Sequence, residues 1–246
     1  MKKEWGMNKR RMPRIVLISM LGILFIAGRA FTGEGDTRPN QEHPGKHPGY
    51  KHHGGQHRFK DAETWAKRFE KPERDAWQKP DAVIKALDLK QDTIVADIGS
   101  ATGYFPVRFA GALPKGRVYG IDIEKSMVDY LNERAGRESL PNLSSILGKP
   151  DDPKLPEPVD VVFICNTYHH IEDRQVYFEK LKKNLRAGAR LVIVDFIKGE
   201  LPMGPPDQMK LAPDELISEL SAVEYRLVQK FEILPYQYFL IFQLVK

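Results

Sequence analysis

Short apolar runs alternate with amphipathic stretches from about residue 80 to the end of the chain. Thr93–Ile98, Arg117–Ile123, Leu143–Leu147, Val159–Cys165 and Arg190–Phe196 are rich in Val and Ile and too short for helices, so they read as strands buried in a sheet. Tyr104–Ala112, Ser126–Arg137, Asp173–Leu185 and Pro213–Ala222 carry helical spacing. Strands and helices alternating at these lengths predict βαβ units and a largely parallel sheet. The third crossover differs, because Gly148–Pro158 holds too many prolines for a regular helix. At the C-terminus, Tyr225–Ile233 and Tyr236–Val245 are separated only by Leu234-Pro235, which is too short for a parallel crossover and predicts an antiparallel hairpin. Upstream, Asp61–Phe69 places Trp65 and Phe69 on one helical face, and a further helix follows Pro80-Asp81 with Val83, Ile84 and Leu87 as its apolar stripe.

The pattern therefore specifies an α/β, Rossmann-like three-layer sandwich: a mostly parallel seven-stranded sheet ending in an antiparallel C-terminal hairpin. It occupies residues 58–246. Residues 31–57 are rich in Gly, Pro, His and charge without apolar periodicity, and read as a disordered tether. Residues 1–30 read as a signal peptide or N-terminal membrane anchor. A basic run ends at Arg14, the apolar run Ile15–Ala27 follows, and Gly28-Arg-Ala30 offers small residues for cleavage. The basic flank stays inside, which places the domain outside the cytoplasm, in the periplasm of a Gram-negative cell; a cytoplasmic location is the remaining alternative.

Charge sharpens this division. The chain carries a formal +5, and residues 1–14 account for it, with six Lys and Arg against Glu4. The body is neutral and shows no electrostatic footprint for a nucleic acid. The membrane is met only through the N-terminal segment. Cys165 is the single cysteine, so no internal disulfide forms. His43, His47, His52, His53 and His57 crowd the tether and are weak metal candidates, since no Cys or carboxylate cluster completes a coordination set.

Candidate chemistry gathers at the carboxyl ends of the strands, where ligands bind in open parallel sheets. After the first strand come Asp97, Gly99, Ser100, Thr102 and Gly103, in a glycine turn that opens a helix. Asp122 and Ile123 close the second strand, Asp151 and Asp152 follow the third, and Asn166 ends the fourth, leading into Thr167-Tyr168-His169-His170. The run Leu185–Asp195 leads into the fifth.

These residues resemble class I S-adenosylmethionine-dependent methyltransferases, in the small-molecule branch that includes quinone C-methyltransferase-like proteins. The resemblance spans about Pro80 to Leu244. Asp97-x-Gly99-x-x-x-Gly103 looks like that family's first motif, although Ala101 and Ala189 each stand where a glycine is common. The first turn is expected to survive provided φ at Ala101 is negative. The resemblance implies S-adenosyl-L-methionine as cofactor and a small-molecule methyl acceptor as partner, and says nothing of oligomeric state. It implies that amides near Gly99 and Gly103 meet the cofactor's carboxylate, that Asp97 meets its ammonium, and that Asp122 accepts the ribose diol. Asp151, or Asp152 beside it, would meet the adenine amino group, and Asn166 opens toward methionine and substrate.

The catalytic candidates are His169 and His170, because imidazole titrates near neutral pH, with Tyr168 beside them; shaping the pocket is their plainer role. Tyr168 and Tyr104 either present ring faces to the sulfonium or pack in the core. Trp77-Gln78 either closes over the cofactor or merely connects helices. Lys198–Asp207 follows the fifth strand on the ligand side and is expected over the acceptor pocket. Two rival functions remain open at this point: an exported non-catalytic or metal-handling protein that keeps the fold, and an NAD-dependent oxidoreductase.

Overall fold

A computed structural model of the chain describes residues 62–245. The signal or anchor segment and the histidine-rich tether, with its five metal candidates, lie outside the described residues. Seven strands, β1 (Ile94–Ile98), β2 (Arg117–Asp122), β3 (Leu143–Leu147), β4 (Val159–Cys165), β5 (Leu185–Phe196), β6 (Tyr225–Phe231) and β7 (Gln237–Leu244), form one sheet in the order β3-β2-β1-β4-β5-β7-β6. The first five are parallel, and β7 runs antiparallel between β5 and β6. The strand order reverses beside β1, so the chain leaves β1 and β4 toward opposite faces of the sheet, the arrangement that makes a crevice outside their carboxyl ends.

The apolar runs predict this because alternate residues must be buried on opposite faces. Ile94, Ala96, Ile98, Val162, Ile164, Leu191 and Ile193 pack on one side with Phe178, Leu181, Leu216 and Leu220 from helices α6 (Arg174–Leu181) and α7 (Pro213–Ala222). Val95, Val161, Phe163, Val192 and Val194 pack on the other, against α3 (Pro80–Ala86), α4 (Pro106–Ala112) and α5 (Lys125–Arg137). Phe163 anchors that second layer, with ring centroids 4.7 Å from Phe105 and 5.1 Å from Phe109. Truncating such a side chain to alanine costs about 3–5 kcal/mol.

Three details differ from the pattern reading. The helix expected over Asp173–Leu185 ends at Leu181 and tightens into a 3-10 turn at Lys182–Asn184. Strand β5 then begins at Leu185 instead of Arg190, because Val159 pairs with Leu185 while Val161 pairs with Arg190; residues 186–189 bulge between, with Gly188 at φ +78°. Finally, a six-residue helix α2 (Glu73–Gln78) follows α1 (Ala62–Phe69), too short to show a period. The proline-rich third crossover forms no helix, as expected. Among the described residues no helix is long and apolar enough to cross a membrane.

Candidate functional site

The crevice has two halves built by different means. On the β1–β2 side the backbone does the positioning. Gly99 N–H and Ser100 N–H both donate to the Ile121 carbonyl, at 2.8 and 3.0 Å, which folds the turn onto β2. Gly99 and Gly103 lie at φ +76° and +99°, in the region that favours glycine. A Cβ on Gly99 would sit 2.2 Å from Thr167 Oγ1, and one on Gly103 would sit 2.3 Å from Leu131 Cδ1. These glycines therefore allow close packing of protein on protein, beyond any approach to a ligand. Ala101 stands at φ +45°, so the expected negative φ is not met and alanine sits in a left-handed position at a cost of about 1 kcal/mol. Its geometry is fixed by Asp122, whose Oδ2 accepts Ala101 N–H at 2.9 Å while Oδ1 accepts Glu124 N–H at 3.0 Å.

Both acids of this half are held in low-dielectric surroundings. Burial pushes the Asp97 carboxyl well above the usual carboxylate range, the Arg74 guanidinium draws it down and Asp122 pushes it up. Burial also raises Asp122, against the lowering pull of the backbone amides it accepts from. Each Asp122 oxygen retains a second lone pair, the capacity that two neighbouring hydroxyls require. Ile123 and Leu147, at the open ends of β2 and β3, are 48% and 47% exposed, and Leu147 pairs with Asp122 across the ladder. They form an apolar lip beside the carboxylate.

On the β4–β5–β7 side the positioning comes from side chains. Gln78 Nε2 donates to Gln237 Oε1 at 2.6 Å, Gln237 Nε2 donates to Asn166 Oδ1, and Asn166 Nδ2 donates to Gln78 Oε1 at 3.3 Å. Each amide gives one bond and takes one, so the ring closes on itself. It ties α2 to the ends of β4 and β7, with Asn166 at φ +57°. Beside it His169 Nδ1 lies 2.9 Å from Asp195 Oδ2, with the two side chains 4% and 3% exposed. A carboxylate only accepts, so Nδ1 carries a proton, and in the neutral ring the lone pair is then on Nε2. Trp77 stacks obliquely on Phe196, centroids 5.7 Å apart. The segment after β5 folds back on that same ring, since a Cβ on Gly204 would meet Phe196 at 2.8 Å.

A cap of α1 and α2 joins the halves. Glu70 accepts from Arg134 and from Thr102 Oγ1, the latter at 3.0 Å, and Asp75 accepts from the Tyr104 hydroxyl and from Arg108 at 3.2 Å. Trp77-Gln78 thus closes over the strand ends and is more than a connection.

Several expected roles shift. Tyr168 is fully buried, stacks on Phe178 and donates to Glu219 Oε2 at 2.9 Å, so it is a core residue and not a catalytic one. His170 lies exposed, its ring 4.2 Å from that of His169. Tyr104 presents no free ring face, because the guanidinium carbons of Arg74 and Arg108 stand over it at 3.7 and 4.1 Å. Thr102 turns its hydroxyl to the cap, and the Ser100 hydroxyl is buried without a partner, packed over Gly120. Asp151 pairs with Lys180 at 2.5 Å on the surface, and Asp152 binds Lys154 N–H at 2.9 Å and its ammonium at 3.0 Å. Asp152 serves its own loop, and Asp151 ties that loop to α6. Asp195, Gln78, Gln237 and Arg74 complete the site without having been assigned to it; the signal for Asp195 and Gln237 was a polar residue at the crevice end of an apolar strand. Among the described residues no group of three His, Cys, Asp or Glu side chains converges to hold a metal.

A family profile described as a methyltransferase domain matches residues 89–236. An uncharacterized methyltransferase of Schizosaccharomyces pombe is 34% identical over 109 residues, 41% of this chain and 37% of that protein. The 27-O-demethylrifamycin SV methyltransferase of Amycolatopsis mediterranei is 30% identical over 127 residues, 50% of this chain and 46% of the other. The chain spans less than half the length of these curated relatives. Among solved structures, an S-adenosylmethionine-dependent methyltransferase from Aquifex aeolicus superposes with a TM-score of 0.70 at 27% identity, covering 75% of this chain and 99% of that one.

Proposed function

Since this chain belongs to the methyltransferase-domain family, we propose that it transfers a methyl group from S-adenosyl-L-methionine to a small-molecule acceptor. The observation that carries the reading is the placement of Asp97 and Asp122 at the open ends of two adjacent strands, around a turn whose backbone is pinned to Ile121. The fold supplies what the cofactor's parts require. Asp122 offers lone pairs to the ribose hydroxyls, Ile123 and Leu147 offer an apolar seat for the adenine, and Asp97 faces the amino-acid arm. The cofactor supplies a methyl group already activated by its sulfonium. The chain's part is to align the acceptor with it, exclude water and take up the acceptor's proton. We assign that proton to His169, whose Nδ1 is held by Asp195, leaving Nε2 as the nitrogen that would accept it.

Titration calorimetry of the full chain with S-adenosylmethionine, S-adenosylhomocysteine and NAD tests the reading. Saturable binding of the first two and none of NAD is expected. A folded protein that binds neither overturns it, and binding of NAD alone would favour an oxidoreductase.

We further propose that the domain works outside the cytoplasm, exported by or anchored through residues 1–30. The support is the order of basic run, apolar run and small residues in that segment. Fusing residues 1–57 to a phosphatase active only after export should give active enzyme, and an inactive fusion of normal abundance contradicts the assignment.

A further inference from the structure

Arg74, on the six-residue helix of the cap, is a cation left incomplete by its surroundings. Its guanidinium lies 3.7 Å over the Tyr104 ring, donates from Nη1 to the Phe69 carbonyl at 2.9 Å and reaches Gln78 Oε1 from Nη2 at 3.4 Å. Its Nε is buried with no hydrogen-bond partner. Two other arginines that meet the cap are matched: Arg108 has Asp75 at 3.2 Å, and Arg134 has Glu70. Among the described residues Arg74 has no carboxylate at ion-pair distance. Its place is set by Tyr104, which follows the glycine turn of β1, and by Gln78, which bonds Asn166 after β4, so it stands under the cap beside the ends of those two strands. Asp97 and the Cys165 thiol at those ends both feel its charge, and the thiol is also within its hydrogen-bonding reach.

A buried donor without a partner asks for an explanation, and a planar guanidinium binds a carboxylate through two parallel bonds. Arg74 and Asp97 together present one positive and one negative group under the cap, the complement of an α-amino acid zwitterion. We infer that Arg74 binds the carboxylate of the donor's amino-acid arm while Asp97 faces its ammonium. This assignment rests on the proposed S-adenosylmethionine site and adds to it a residue outside the glycine turn. It also gives the cap a role in binding. Helix α2, locked by the amide ring through Gln78, carries the guanidinium down onto the arm and makes the amino-acid part of the ligand a requirement for tight binding.

Two ligands that differ in that arm test the inference on the full chain. S-adenosylhomocysteine carries the amino acid and 5′-methylthioadenosine lacks it. In Arg74→Met, which keeps a long side chain, affinity for S-adenosylhomocysteine should fall about ten- to a hundredfold, the range for losing a charge-assisted hydrogen bond. Affinity for methylthioadenosine should stay within about threefold, which also shows that the variant is folded. Arg74→Lys, with the charge but not the fork, should fall between the wild type and Arg74→Met. Equal loss for both ligands, or no loss for either, overturns the assignment. So does tighter binding of S-adenosylhomocysteine, since the guanidinium would then be standing where the ammonium belongs. Wild-type protein that binds neither ligand refutes the donor site itself, a separate result from a wild type that binds both and a variant that does not discriminate.

Discussion

The two halves of the crevice are held in place by different kinds of chemistry. At the ends of β1 and β2 the shape comes from main chain: glycines at positive φ, two amides on the Ile121 carbonyl, and a carboxylate that accepts from Ala101 and Glu124. At the ends of β4, β5 and β7 it comes from side chains far apart in sequence, the Gln78–Asn166–Gln237 ring and the His169–Asp195 pair. A half whose frame is set by backbone suits an invariant ligand, because the few side chains that meet the ligand are held by main-chain bonds. A side-chain-built half can be retuned one residue at a time. The difference fits a common donor on one side and a particular acceptor on the other.

The largest expected effect separates the halves by function. His169→Ala should lower turnover by about 10²–10⁴-fold, the usual contribution of a positioned base, while affinity for S-adenosylhomocysteine stays nearly unchanged. A matching loss of affinity, measured by calorimetry, would mean that the histidine belongs to the donor half.

That division also explains what could be read from the chain. The half proposed for the donor lies in Asp97–Gly103 and Asp122–Ile123, two short stretches whose residue types state their own geometry. Ala101 was the exception, since its sign of φ depends on the Asp122 carboxylate across the turn. The strands and the closing hairpin were legible for a similar reason, because burial on both faces leaves continuous apolar runs. The half proposed for the acceptor was not legible. Gln78 and Gln237 meet across 159 residues of sequence, and no local pattern pairs the one with the other. Asp151 and Asp152 misled in the opposite direction: they stand where the cofactor's base is expected, yet neighbouring lysines hold both. Tyr168 shares its turn with His169, but a 3-10 turn points adjacent side chains in different directions, and this one points into the core.

Gly99→Ala should be the most damaging change to the fold of the donor half. It forces a side chain at φ +76° into Thr167, and about 3 kcal/mol of stability should be lost by chemical denaturation. A loss below about 1 kcal/mol would mean that the turn is less fixed than its hydrogen bonds imply. In the acceptor half, Gln237→Ala breaks the amide ring and leaves buried groups of Gln78 and Asn166 unpaired, which should cost about 1–3 kcal/mol. The same loss measured in a Gln78→Ala background should be much smaller, because the ring is then already open. The smallest effect has the opposite sign. Ala101→Gly relieves the left-handed alanine at φ +45° and should stabilise the protein by up to about 1 kcal/mol, with donor affinity kept or improved.

The central claim is that the Asp97–Asp122 half holds the donor, and Asp122→Asn tests it most directly. Asparagine keeps the size and one acceptor oxygen but loses the charge and the second acceptor. Titrated with S-adenosylhomocysteine at neutral pH, this variant should bind at least tenfold more weakly than the wild type, and its unliganded thermal midpoint should fall, because the new amide nitrogen faces one of the two backbone N–H groups that the carboxylate accepted from. Unchanged affinity in the folded variant would contradict the account and move the donor away from β2.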